Sequence, residues 1–268
     1  LIGAIIKAFK TIVKNPLLLL PALILPAVTF GLLFVLQEPL FNLLVDILFL
    51  ERVPESTLLA FPIHLLAMYP IELAAVAVMV LASSIISIAV GFIYAKYANS
   101  IEADKASLSG SIKAVFENKN SILALAGFLF IVILFVIGIS WLLLAASTII
   151  PQILLVVILL FILLAYIFVK LTFSVQAMAV ENIKAKEALS KSWAFTNKRF
   201  WQVLGFLILT TIIYSIIIAI GDFVDLTLTE INEDLGTLVF VIFWTIGVSF
   251  SNLAMAFYFI KKDIAKTV

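Results

Sequence analysis

Six long apolar runs separated by short polar segments dominate the chain. They lie at about Pro16 to Leu36, Ile71 to Ala95, Ser121 to Ala146, Gln152 to Ser174, Phe200 to Ile220 and Thr237 to Ile260. A hydrocarbon core needs roughly 20 apolar residues in a helix, so each run is long enough to cross a bilayer. Ser147 to Pro151 is expected to form a tight turn between the third and fourth runs, and Pro151 suits the first turn of the next helix.

A different pattern precedes each odd-numbered run. Leu1 to Lys14 places Ile2, Ile5, Ile6, Phe9, Ile12 and Val13 against Lys7, Lys10 and Lys14. A second lies within Ser107 to Asn118 and a third is Ala185 to Phe195, both short and amphipathic, with Lys113 on the one and Lys186 and Lys191 on the other. Such segments suit helices lying in the membrane plane on the lysine-rich side. The last two belong to stretches that align without gaps. Glu102 to Asn120 matches Glu181 to Arg199 at a constant offset of 79, with identities at Glu102/Glu181, Lys105/Lys184, Ala106/Ala185, Phe116/Phe195, Asn118/Asn197 and Lys119/Lys198. The first segment matches less well, through Ile6-Lys7-Ala8 against Ile112-Lys113-Ala114. The expectation is a single integral membrane domain over 1–268, built from three units of an in-plane helix plus a two-span hairpin at about 1–95, 102–174 and 181–260. Chance similarity between amphipathic stretches is the alternative. The fold class expected is all-α, a polytopic bundle of six transmembrane helices with three in-plane helices.

Charge sets the expected orientation. The segments before run one, between two and three, between four and five, and after six hold sixteen of the 17 Lys and Arg residues and six acids, a net charge of +10. The other side holds Arg52 and ten acids, a net charge of −9. The positive-inside rule places both chain ends in the cytoplasm of a multi-pass cell-membrane protein.

Composition then narrows the chemistry. The chain is 65% hydrophobic and 12% charged, and it has no cysteine, so thiolate metal sites and disulfides are excluded. The sequence carries no phosphate-binding Gly-rich loop, metalloprotease motif or nucleophile elbow. No catalytic residue, metal ligand or cofactor is therefore assigned. Lys170 is the one ionisable side chain well inside a run, about a turn from its end, where it can snorkel or meet a lipid phosphate. With Lys119, Lys184, Trp193, Lys198, Arg199 and Trp201 it makes up the expected headgroup-contact set. Ser83, Ser84, Ser87 and Asn252 are expected to pack helices together through polar contacts.

Three outer features have two readings each. Gln37 to Pro70 is long and apolar, with Pro39 to Leu50 and Thr57 to Met68 as two short helices, and reads either as a lid or as packing. His64, the only histidine, lies in it without an evident partner. Asp222, Asp225, Glu230, Glu233 and Asp234 make an acidic last loop whose spacing fits no EF-hand, so a solvated loop is favoured over a cation site. Glu72 opens the second run as a helix N-terminal acid.

Ala177 to Leu207 reads AMAVENIKAKEALSKSWAFTNKRFWQVLGFL. Val180-Glu181, Ala188-Leu189, Ser192-Trp193, the basic Lys198 and the aromatic pair Phe200-Trp201 follow the pattern of the membrane domain associated with glycerophosphoryl diester phosphodiesterases and its stand-alone relatives, which the stretch resembles. Ala256-Phe257-Tyr258 to Asp263 resembles that family's terminal aromatic and charged segment. The resemblance implies a six-span membrane module. It does not imply hydrolysis, because the family's soluble phosphodiesterase barrel is not among these residues. The leading expectation is a non-enzymatic module that binds membrane lipid, a protein partner or a second copy, and not nucleic acid. A lipid or small-solute transporter or channel is the alternative, and a lipid-modifying enzyme with an acidic outer site is the second.

Overall fold

A computed structural model describes residues 1–48, 70–147 and 153–264. Every element among the described residues is helical: α1 (Ile2–Lys14), a single 3-10 turn (Pro16–Leu18), α2 (Leu19–Leu48), α3 (Pro70–Glu102), α4 (Leu108–Glu117), α5 (Lys119–Ser147), α6 (Ile153–Leu171), α7 (Ser174–Glu181), α8 (Ala185–Asn197), α9 (Phe200–Thr229) and α10 (Glu233–Ile264). Among the described residues, five stretches are long and apolar enough to cross a membrane: Leu73–Glu102, Lys119–Ser140, Leu155–Glu181, Phe200–Thr229 and Asp234–Lys262. Ile2–Lys14 and Pro16–Leu32 form a pair bent by 107°, which brings the number of candidate spans to as many as six. The bend follows from Pro16, which disfavours helical geometry at the residue before it; Asn15 sits at φ −134°, ψ 76°.

The helices overrun the apolar stretches that predict them. α3 continues past Ala95 to Glu102, and α9 continues past Ile220 to Thr229. Asp222 and Asp225 therefore lie within α9 and Glu233 and Asp234 within α10, rather than in an acidic loop. Asn232 caps α10, its Oδ1 accepting from the Leu235 N–H at 3.1 Å. No group of three or more metal-binding side chains occurs among the described residues. α2 runs unbroken to Leu48, so of the short helix expected at Pro39 to Leu50 the part up to Leu48 is instead its continuation, and Phe49 and Leu50 lie outside the described residues. A proline removes one hydrogen-bond donor, and a membrane helix tolerates that loss. The segment Thr57 to Met68, Arg52 and His64 lie outside the described residues, as does the turn expected at Pro151.

The chain divides into two compact units, one of Leu1–Ala27, Ile86–Leu125 and Phe168–Val268, the other of Val28–Ile85 and Ala126–Ile167. The first holds most of the buried aromatic side chains. Phe206 stacks on Tyr258 with centroids 4.2 Å apart, and Phe195 meets Phe259 at 4.9 Å and Phe173 at 5.2 Å. α9 and α10 pack closely where glycine leaves room. A Cβ at Gly221 would lie 2.6 Å from Phe243 Cβ, and one at Gly247 3.0 Å from the Tyr214 ring.

Candidate functional site

The signature stretch folds into a bonded cluster at the lysine-rich ends of α6 to α10. α6 stops at Leu171 and α7 starts at Ser174, which leaves backbone groups without helical partners. Ser192 of α8, fully buried, supplies them: its hydroxyl donates to the Lys170 carbonyl at 2.7 Å and accepts from the Phe173 N–H at 3.1 Å. α7 ends at Glu181, and Asn182 takes the left-handed conformation at φ 57°, ψ 39°, which asparagine tolerates at a helix end. Lys184 is extended and leads into α8, which folds back along α7 through the buried small residues Ala177, Ala185 and Ala188. An ion pair of 2.7 Å between Glu181 and Lys191 closes this hairpin.

Lys170 is 1% exposed, and its ammonium donates to Asn197 Oδ1 at 2.7 Å. It also lies 5.6 Å from the Trp193 ring and 5.5 Å from that of Phe200, within the reach of a cation–π contact. Arg199 donates to the Lys262 carbonyl at 2.9 Å and lies 5.3 Å from the Phe195 ring, tying the cluster to the end of α10. Of the seven residues expected at headgroups, Lys119, Lys184, Lys198, Trp193 and Trp201 are exposed. Trp201 is 79% exposed. Lys170 and Arg199 direct their charge toward protein groups.

The residues expected to pack helices through polar contacts do so only in part. Ser84 and Asn252 donate to carbonyls of their own helices, Val80 at 2.7 Å and Val248 at 2.9 Å. Asn252 Oδ1 also sits where a Cβ on Gly91 would lie 3.0 Å away, so glycine lets α3 and α10 approach there. Ser83 is half-buried and Ser87 exposed. The polar link between helices is instead at Tyr94, which is fully buried. Its hydroxyl donates to the Leu18 carbonyl at 2.5 Å and accepts from Ser249 Oγ at 2.7 Å, joining the bend after α1 to α3 and α10. An aromatic residue inside an apolar run gives no sequence sign of this role.

α1 has three faces. Ala4, Ile5, Ala8, Thr11 and Ile12 are buried, and Phe9 stacks on Phe250 of α10 at 4.4 Å. Ile2, Ile6, Phe9 and Val13, spaced as one helical stripe, are exposed. Lys7, Lys10 and Lys14 make the third face and border a cleft of about 590 Å³ that Asn15, Tyr97 and Asp104 also line. Lys7 is paired with Glu102 at 2.5 Å and lies 4.9 Å from the Phe257 ring.

No curated protein and no solved structure matches this chain. The family model described as the membrane domain of glycerophosphoryl diester phosphodiesterase matches residues 145–266, so the resemblance extends well beyond the signature and takes in α6 to α10.

Proposed function

We infer that the chain is a non-enzymatic, multi-pass module of the cell membrane that binds lipid, with both ends in the cytoplasm. The observation that carries this reading is the three-sided α1: one face packs on α10, one exposes a stripe of large apolar side chains, and one is basic. A helix in water has no use for the exposed stripe. A helix lying in the membrane plane has protein on one side, acyl chain on another and headgroup or water on the third. α4 and α8 take the same part in this reading. Ile112 and Phe116 of α4 are exposed beside Lys113, as is Trp193 of α8 near Lys198.

The three-unit repeat belongs to the same reading. α3 and α7 end at Glu102 and Glu181, which the offset of 79 pairs. Left-handed residues follow each of them, Asp104 and Asn182, then a short helix and the next long one. α1, with its bend into α2, would be the first copy of that device.

Native mass spectrometry of the chain extracted with its own membrane lipids tests the proposal. A retained lipid of defined mass and stoichiometry is the expected result. A bare chain would refute lipid binding. A chain carrying only a second polypeptide or a second copy of itself would make it a protein-binding module.

A further inference from the structure

We propose that the cleft between α1 and the end of α3 is a headgroup site for a phospholipid with one phosphate, one net negative charge and a hydroxyl-bearing headgroup, of which phosphatidylglycerol is the simplest probe. This rests on the lipid-binding reading and adds a place and a selectivity to it.

The cleft encloses about 590 Å³, ample for a headgroup. Its charges are unequal in kind. Glu102 neutralises Lys7, whereas Lys10 and Lys14 are exposed and form no ion pair among the described residues. Asp104 lines the same cleft, held at φ 54° by the turn after α3. Two free ammonium groups and one carboxylate leave a single positive charge, which matches a lipid of single negative charge. The carboxylate is an acceptor only, so it repels a second anionic group and favours a hydroxyl donor. Lysines supply point charges to the phosphate oxygens, and Asp104 and Asn15 are placed for headgroup hydroxyls.

The source is a lipid rather than a free phosphate ester, because the lysine face adjoins the exposed stripe of Ile2, Ile6, Phe9 and Val13. At about 100° per residue, the helix sets the two faces side by side, so a headgroup on the lysines has its acyl chains against the stripe.

The test uses the full chain in nanodiscs and measures lipid retention by native mass spectrometry. Phosphatidylglycerol should be retained over phosphatidylcholine. Retention should fall about tenfold to thirtyfold in Lys10→Gln/Lys14→Gln, on the scale of two surface lysines at an anionic leaflet. It should survive in Lys10→Arg/Lys14→Arg, and in Lys186→Gln, an exposed lysine on α8. Asp104→Asn should narrow the preference for phosphatidylglycerol over phosphatidic acid. Both lysines are exposed, so folding is not at stake, and unchanged thermal melting checks this.

Wild-type retention in the glutamine pair would overturn the site while leaving lipid binding intact. An equal loss in Lys186→Gln would reduce the effect to general surface charge and overturn it too. Displacement by glycerol phosphate or inorganic phosphate at equal concentration would replace the lipid with a soluble phosphate. A wild-type chain that retains no lipid would refute the lipid-binding reading itself.

Discussion

Removing one hydroxyl from each of two buried tyrosines should have opposite consequences. Tyr94 and Tyr258 are both at most 2% exposed. The Tyr94 hydroxyl holds the Leu18 carbonyl and the Ser249 hydroxyl together. The Tyr258 hydroxyl is buried without a hydrogen-bond partner among the described residues, while its ring stacks on Phe206 at an interplanar angle of 11°. Tyr94→Phe therefore removes both bonds and takes the buried Ser249 hydroxyl's partner away, at a cost of about 1–3 kcal/mol. Tyr258→Phe keeps the stack and deletes an unpaired polar atom, so it should be neutral or stabilising by about 1 kcal/mol. Thermal unfolding of the chain in one detergent reads both, at about 2–4 °C per kcal/mol for a chain of this order of size. Ser249→Ala should cost less than Tyr94→Phe, because the Leu18 bond survives, and the double variant should be less destabilised than the sum of the two. Equal loss in the two phenylalanine variants, or no loss in Tyr94→Phe, would refute the assignment of the Tyr94 hydroxyl as the tie between α1's bend, α3 and α10.

Three further outcomes are expected. Ser192→Ala should lower stability by about 1–3 kcal/mol and make the α6–α7 break more sensitive to limited proteolysis, because it leaves the Lys170 carbonyl and Phe173 N–H unpaired. Asn197→Ala should destabilise more than Lys170→Met, since the first takes the Asn197 oxygen away from a buried ammonium that keeps its charge and the second removes the charge altogether; thermal melting of the two variants in parallel decides it. Gly221→Ala should cost about 1–3 kcal/mol and loosen the α9–α10 hairpin, which cysteine cross-linking across the pair would report, because the added methyl meets Phe243 Cβ rather than the tip of a flexible side chain.

How much of this was legible depended on whether the deciding interaction was local. The long helices were, because an apolar run of bilayer length has few other fates. Their ends were not: hydropathy marks how deep a segment can sit, not where its backbone ladder stops, so α3 and α9 run on through Lys96 to Glu102 and Gly221 to Thr229. The α6–α7 break lies within an apolar stretch and is satisfied by Ser192, some twenty residues further on, so no local signal announced it. Lys170 was visible as the one cation inside a run, yet its burial depends on Asn197, Trp193 and Phe200 arriving from α8 and the start of α9. The lysine face of α1 was legible from spacing alone. Its cleft was not, because α3 supplies Tyr97 and the turn after it supplies Asp104.

These differences separate two kinds of residue at the lysine-rich ends. Glu181, Ser192, Asn197 and Arg199 lie within the family-matched stretch and direct their polar groups at Lys191, the α6–α7 break, Lys170 and the end of α10. The signature thus describes how a folded-back helix pair is held together. Lys10, Lys14 and Asp104 lie outside that stretch and keep their charges at an open cleft. A group whose bonding is internal contributes to stability, and one left facing a cleft is available to a ligand. Substitutions in the first set should therefore move the melting temperature more than the lipid selectivity of the protein that remains folded, and those in the second set should do the reverse. On this argument, the internal bonds of Glu181, Ser192, Asn197 and Arg199 hold the family-matched helices together, and the headgroup preference proposed for the cleft would rest on Lys10, Lys14 and Asp104.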